Sequence, residues 1–309
     1  MKKTNATSFT LLFLFIAQFT IAADDFDIDP SYFSSNSART AHTHSPEFSG
    51  INLKTKGFAV DVHGVIIDNV LQPYVTYSHQ LDDFDNRLVI GQNPEENPRP
   101  RGLAWSADLR TLYGLSREDN PSLISIDPSN GVSTQIAPTS GQGNDVSLQG
   151  IAIDQDNRCF IIATDNNNHN TISTLYECDL ATGQLSFIGS QPLAPDLHDI
   201  TATCDGSLYG INSFSGNLYS LSKLDGSAQL VGPLGLESSV RLFTLTYDRI
   251  NDTLYQYVLR DNGFQTALAI VDKNTGTATY VAGGFNFGSF VGSVESICDD
   301  LIFSNGFEG

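Results

Sequence analysis

The chain has 309 residues, of which 40% are hydrophobic, 17% charged and 10% aromatic. That is the composition of one large or two ordinary folded domains, and it excludes a disordered or fibrous protein. Lys and Arg number 16 against 35 Asp and Glu, a formal charge of -19 at pH 7, and so acidic a surface repels nucleic-acid phosphates and anionic headgroups.

The N-terminus opens Met1-Lys2-Lys3, runs through an apolar stretch from Phe9 to Ile16, and reaches Thr20-Ile21-Ala22-Ala23 before Asp24-Asp25. This reads as a secretory signal peptide over 1–22, cut after Ala22 or Ala23. The apolar run is too short for a permanent membrane span, and no other segment approaches spanning length. The expected address is periplasmic or secreted. Residues 23–56 follow as an acidic polar leader rich in Asp, Ser, Thr and Asn, with little apolar periodicity.

From there the chain repeats itself, and with 26 Gly and 12 Pro the repeat is one of short strands and turns. An apolar strand, a turn and a second strand recur as Gly102-Leu103-Ala104-Trp105 to Leu112-Tyr113-Gly114, Gly150-Ile151-Ala152-Ile153 to Phe160-Ile161-Ile162, and Asp199-Ile200-Thr201-Ala202 to Leu208-Tyr209-Gly210. Two more copies start at Thr244 and Ser293, so that the starts lie 48, 49, 45 and 49 residues apart. A second hairpin follows most of them, with a turn such as Asp127-Pro128-Ser129-Asn130-Gly131, Asp179-Leu180-Ala181-Thr182-Gly183 or Asp272-Lys273-Asn274-Thr275-Gly276. Its terminal Gly supplies positive φ and its Asp caps the turn. An outer strand then ends in a small residue, as in Ser186-Phe187-Ile188-Gly189 and Gln229-Leu230-Val231-Gly232. Four up-and-down strands per repeat make a propeller blade, so the fold expected over 57–304 is an all-β single β-propeller, with a C-terminal tail over 305–309.

The chain ends are out of phase. The last copy stops after two strands, ending at Ile302-Phe303, while Tyr74 to Gly91 has the pattern of a blade's last two strands. Pairing the two ends into one composite blade closes the ring and hides both edges, giving five blades. Phe58 to Asp68 is a further strand-like segment that makes six the alternative.

The Leu-Tyr-Gly strands at 112–114 and 208–210, together with the Asp-x-x-Thr-Gly hairpins at 179–183 and 272–276, resemble the repeats of secreted bacterial β-propellers of the YVTN and quinoprotein-dehydrogenase-like kind. The resemblance spans roughly 57–304 and concerns architecture. The quinone-cofactor branch carries repeated Trp, whereas this chain has one, Trp105, so the resemblance carries no quinone over.

Four Cys in an exported chain raise disulfides. Cys159 and Cys178 lie symmetrically about a polar loop centred between residues 168 and 169, which sets them opposite each other in an antiparallel pair and predicts a disulfide. Cys204 and Cys298 hold the same repeat position in different blades, and two free or buried thiols are expected there.

Ligands of propellers usually bind at the funnel mouth, where the loop before each innermost strand reaches the axis. Repeat alignment places Arg101, Gln149, His198, Phe243 and Gly292 there. Arg101 and the nearby Arg241 suit a carboxylate or sulfate, and His198 suits proton transfer. Asp165, Asn166 and Asn168, in the run Asp165-Asn166-Asn167-Asn168-His169-Asn170, concentrate oxygen ligands of the kind calcium takes. Calcium is thus the one ion for which a loop speaks, and no other cofactor is expected. No Ser nucleophile motif or phosphate loop occurs. The expectation is a monomeric binding or interaction module for a protein, glycan or cell-envelope ligand. The alternative is an extracytoplasmic lyase or hydrolase at the funnel, with His198 as base.

Overall fold

The computed structural model describes residues 63–298 apart from 69–74, 82, 94–97, 117–119, 143–145, 166–172, 192–195, 213–214, 237–240, 261–264, 286–289 and 297. The leader and the tail therefore lie outside the described residues. Twenty strands and no helix occur among the described residues. Blade 1 comprises β4 (Pro100–Trp105), β5 (Leu112–Ser116), β6 (Ser122–Ile126) and β7 (Ser133–Pro138). Blade 2 comprises β8 (Val146–Ile153), β9 (Cys159–Asp165), β10 (Ser173–Cys178) and β11 (Leu185–Gln191). Blade 3 holds β12 (Leu197–Ala202), β13 (Leu208–Asn212), β14 (Asn217–Leu221) and β15 (Ala228–Pro233). Blade 4 holds β16 (Arg241–Asp248), β17 (Thr253–Arg260), β18 (Gln265–Val271) and β19 (Ala278–Phe285). The fifth sheet pairs β20 (Phe290–Glu295) with β1 (His63–Asp68), β2 (Val75–Gln80) and β3 (Asp83–Gln92).

Burial follows position in the blade. The innermost β4 and β12 are buried at all but one position, because they face neighbouring blades on both sides. The outermost β7 and β15 bury one residue each, Ser133 and Gly232, and expose residues such as Leu230. The innermost strands contact one another in the cyclic order β4, β8, β12, β16, β20 and back to β4. Five apolar clusters correspond to the five joints between blades. One, for example, joins Leu115 and Leu123 of blade 1 to Ile151, Ile161 and Tyr176 of blade 2.

The small residue ending each outer strand has a steric cause. A Cβ on Gly91 would lie 1.6 Å from the Asn130 carbonyl oxygen in the next blade's turn, and one on Gly189 would lie 1.8 Å from that of Asp225. The outer strand of one blade thus rests directly on the backbone of the following blade's second hairpin turn. Just before this contact the outer strands carry a one-residue bulge, at Ile90, Ile136, Ile188, Val231 and Val281. These bulge residues pack into the apolar clusters of the joints, which is the re-aiming that a bulge permits. The turns themselves are capped as their sequence predicts. Asp179 Oδ1 accepts from the Ala181 and Thr182 amides at 2.8 and 2.9 Å, and Gly183 has φ 69°.

Ring closure corrects one detail of the sequence reading. The fifth blade is composite, but the C-terminal end supplies only its innermost strand: β20 pairs with β1, Ile66 opposite Gly292. The segment weighed as a sixth blade's hairpin therefore contributes the second strand of the fifth blade. Ile302-Phe303, expected in that role, lies outside the described residues. The N-terminal end joins blade 4 through buried His79 of β2, whose Nε2 is 3.0 Å from Tyr257 Oη on β17. Burial raises the Tyr257 phenol above its ordinary range, so it acts there as a neutral hydroxyl.

Cys159 and Cys178 face each other in register and form a disulfide. Cys204 and Cys298, expected as thiols, are also joined, with Cα atoms 5.6 Å apart. The reason is the tightness of the ring at this end. From blade 4, the Arg249 guanidinium reaches the carbonyls of both Ser106 in blade 1 and Ile153 in blade 2. Cys204 Sγ lies 3.7 Å from the Arg249 carbonyl oxygen as the bridge passes the end of β16. Sequence separations of 94 and 19 residues give loop-closure contributions of about 4.7 and about 3.2 kcal/mol. Denaturant unfolding of Cys298→Ser should therefore show the larger loss, and Cys178→Ser the smaller. Gly189→Ala should cost more than about 2 kcal/mol in the same measurement, because its Cβ meets backbone that cannot retreat.

Candidate binding mouth and axial channel

The residues that repeat alignment assigns to the funnel mouth fall at a second set of bulges, near the starts of the innermost strands. Gln149 is the extra residue between Leu148 and Gly150 of β8, and His198 between Leu197 and Asp199 of β12. Phe243 lies likewise between Leu242 and Thr244 of β16. In β4 the irregularity spans Arg101 and Gly102, while β20 passes Gly292 in unbroken register with β1. Arg101, Gln149 and His198 therefore stand at one level on three consecutive inner strands.

Their side chains are engaged differently. Arg101 Nη1 donates to the Ser147 hydroxyl and to the Leu148 carbonyl, the latter at 3.0 Å, and so ties blade 1 to the innermost strand of blade 2. Gln149 is buried and donates from Nε2 to Thr164 Oγ1 on its own blade at 2.8 Å. His198 is half-buried. The Arg241 side chain lies outside the described residues, as do the Asp165 side chain and the loop carrying Asn166 and Asn168. The described residues thus bring together only part of the expected set.

One residue beyond His198 stands a group that the sequence reading passed over. Asp199 is 3% exposed; its Oδ1 accepts from the Ile200 amide and its Oδ2 from the Leu245 amide of blade 4, each at 2.9 Å. Gly150 of blade 2 makes room for it, since a Cβ there would lie 2.1 Å from Asp199 Oδ1. Loss of water outweighs the two amide bonds and holds the carboxyl well above the ordinary carboxylate range. The signal was present in the repeat: Asp199 is the one carboxylate at a position held elsewhere by Gly102, Gly150, Thr244 and Ser293.

Between the inner strands runs a narrow axial cavity of about 20 Å³, lined among others by Trp105, Ala152, Thr201, Ala202, Thr246 and Arg249. That is room for one or two waters. Its far end, where the inner strands terminate, carries Arg249.

No family model matches the chain, and no curated protein matches it in sequence. Solved structures share its strand arrangement at low identity. A protein of unknown function from Bacteroides thetaiotaomicron is 15% identical with a TM-score of 0.49, covering 73% of this chain and 56% of its own. A chain of a nidogen–laminin complex is 13% identical with a TM-score of 0.49, covering 77% and 100%. Virginiamycin B lyase from Staphylococcus aureus is 15% identical with a TM-score of 0.39, covering 60% and 56%. The chain spans about half the length of the first structures it matches. These likenesses carry no argument about what this chain binds or turns over.

Because the Asp199 pKa is higher in the folded chain than in the unfolded one, folding takes up a proton between the ordinary carboxylate value and the raised one. Stability falls across that window as pH rises. Asp199→Asn keeps one acceptor oxygen and turns an NH2 toward the other amide, so in urea unfolding at a series of pH values it should be less stable than wild type below about pH 4 and recover relative to it as pH is raised. Parallel profiles would show that the carboxylate is not destabilised by burial.

Proposed function

We propose that this chain is an exported, monomeric binding module whose mouth face, at the starts of the innermost strands, recognises a protein, a glycan or a cell-envelope ligand. The observation that carries this reading is the closure of the axis. The cavity holds no more than water-sized guests, and Arg101 and Gln149 spend donors on blade 2, so recognition falls to a broad face rather than to a deep pocket. Two disulfides fit an extracytoplasmic address, and no helix among the described residues is long and apolar enough to cross a membrane.

The second reading is an extracytoplasmic lyase or hydrolase, and one observation favours it. A buried carboxyl with a raised pKa, Asp199, is adjacent in sequence to His198, a pairing suited to acid–base work. Calcium at Asp165, Asn166 and Asn168 is proposed as an accessory ion for either reading. Thermal unfolding of the mature chain against oligosaccharides, cell-wall fragments, small carboxylates, calcium and EDTA tests these readings. A ligand at 100 times its Kd should stabilise by about 2.7 kcal/mol, and His198→Ala should weaken that shift without altering the ligand. Chemical conversion of the ligand by wild type, lost in His198→Ala, would replace the binding reading with the enzymatic one.

A further inference from the structure

The axial cavity is lined by hydrogen-bond donors and by a half-buried positive charge that no carboxylate contacts among the described residues. Arg249, just past the end of β16, places its guanidinium under the inner strands. Nη2 donates to the Ile153 carbonyl at 2.9 Å, and Nη1 stands 3.5 Å from that of Ser106. Both acceptors are neutral and use only part of a five-donor group. Among the described residues no carboxylate lies within ion-pair distance of Arg249. Asp154, the closest in influence, is itself paired with Lys223 at 2.9 Å. Burial lowers the pKa of the guanidinium below its usual value, yet an arginine retains its proton, so the charge stays.

Trp105, 3% exposed, has an indole Nε1 that is buried without any hydrogen-bond partner. Trp105 and Arg249 line the same cavity, whose volume of about 20 Å³ fits a single atom or one or two waters. Thr201 also lines it. An unpaired buried donor is costly and a half-buried guanidinium without a counter-charge is only partly solvated, and one guest relieves both if it is negative, accepts from all sides and has no bulk. A water satisfies the indole but leaves the charge.

We propose that the axial channel is a binding site for one small monovalent anion, a halide such as chloride, held by the Arg249 guanidinium and the Trp105 indole N–H. The site is separate from the mouth and does not depend on what the mouth binds. It places an anion inside a protein of charge -19, so the surrounding field opposes its approach and the local cation must hold it.

The chain's single tryptophan reports on the site directly. The mature protein is titrated with sodium bromide, a heavy-atom quencher, at ionic strength held constant with gluconate, which is too large for the cavity. The expected result is fluorescence quenching that saturates, is reversed competitively by chloride, and disappears in Arg249→Met. A thermal midpoint higher in chloride than in gluconate should accompany it. Quenching that rises linearly with bromide and ignores chloride, or no quenching at all, would overturn the site and leave water as the occupant. Should Arg249→Met not fold, bromide-soaked crystals of wild type decide: an anomalous peak between Trp105 and Arg249 supports the anion, and its absence refutes it.

Discussion

Everything near the axis follows from one constraint: neighbouring blades do not hydrogen-bond as sheets, so the axial edge of each innermost strand presents amides that a side chain or a guest must satisfy. Asp199 accepts from the Leu245 amide across the joint between blades 3 and 4. Between blades 4 and 5, Thr246 Oγ1 accepts from the Val294 amide at 3.0 Å and Thr244 Oγ1 from Gly292 at 3.4 Å. At the joint of blades 1 and 2 the strands instead approach backbone to backbone, with a Cβ on Gly102 lying 3.2 Å from the Gly150 Cα. The ring is held narrow by these contacts, and the axial cavity is what remains.

A narrow ring has two consequences for the chain ends. It lets a single inner strand from the C-terminal side complete the composite blade, since β20 is held by β1 on one side and by the inner strands of its neighbours on the other. It also brings the ends of β12 and β20 near enough for Cys204 and Cys298 to bridge past blade 4. The covalent tie lies three residues beyond the strand that closes the ring, where loss of the end would expose two edges at once. The Arg249 amide adds to it, donating to Ser296 Oγ at 2.6 Å.

The same narrowness separates the two candidate sites. At the mouth, bulges turn Gln149 and His198 out of the regular alternation, and Arg101 braces blade 2, so the surface there is a rim of polar groups over a filled axis. Within the channel, the small residues Ala152 and Ala202 line a space shared with Trp105, whose indole N–H meets no protein acceptor, and with Arg249, whose guanidinium spends only part of its donors on carbonyls. A breadth of surface suits a macromolecular or glycan ligand, whereas a space of atomic size suits an ion.

The sequence by itself determined the blade. Period, alternation, Asp-capped turns with a closing Gly, and the small residue after each outer strand are local or one-dimensional signals, and each has a local cause in turn geometry or in backbone contact with the next repeat. It also determined Cys159–Cys178, because antiparallel register is fixed by the hairpin between them. Tertiary structure alone decided how the ends share the fifth blade, because β1 and the segment after β20 have equal claims to one position by pattern. It decided the Cys204–Cys298 bridge and the placing of Arg249 and Trp105 on one axial cavity as well. These depend on the radius of the closed ring, a quantity set by five blades packing together and encoded in no single repeat.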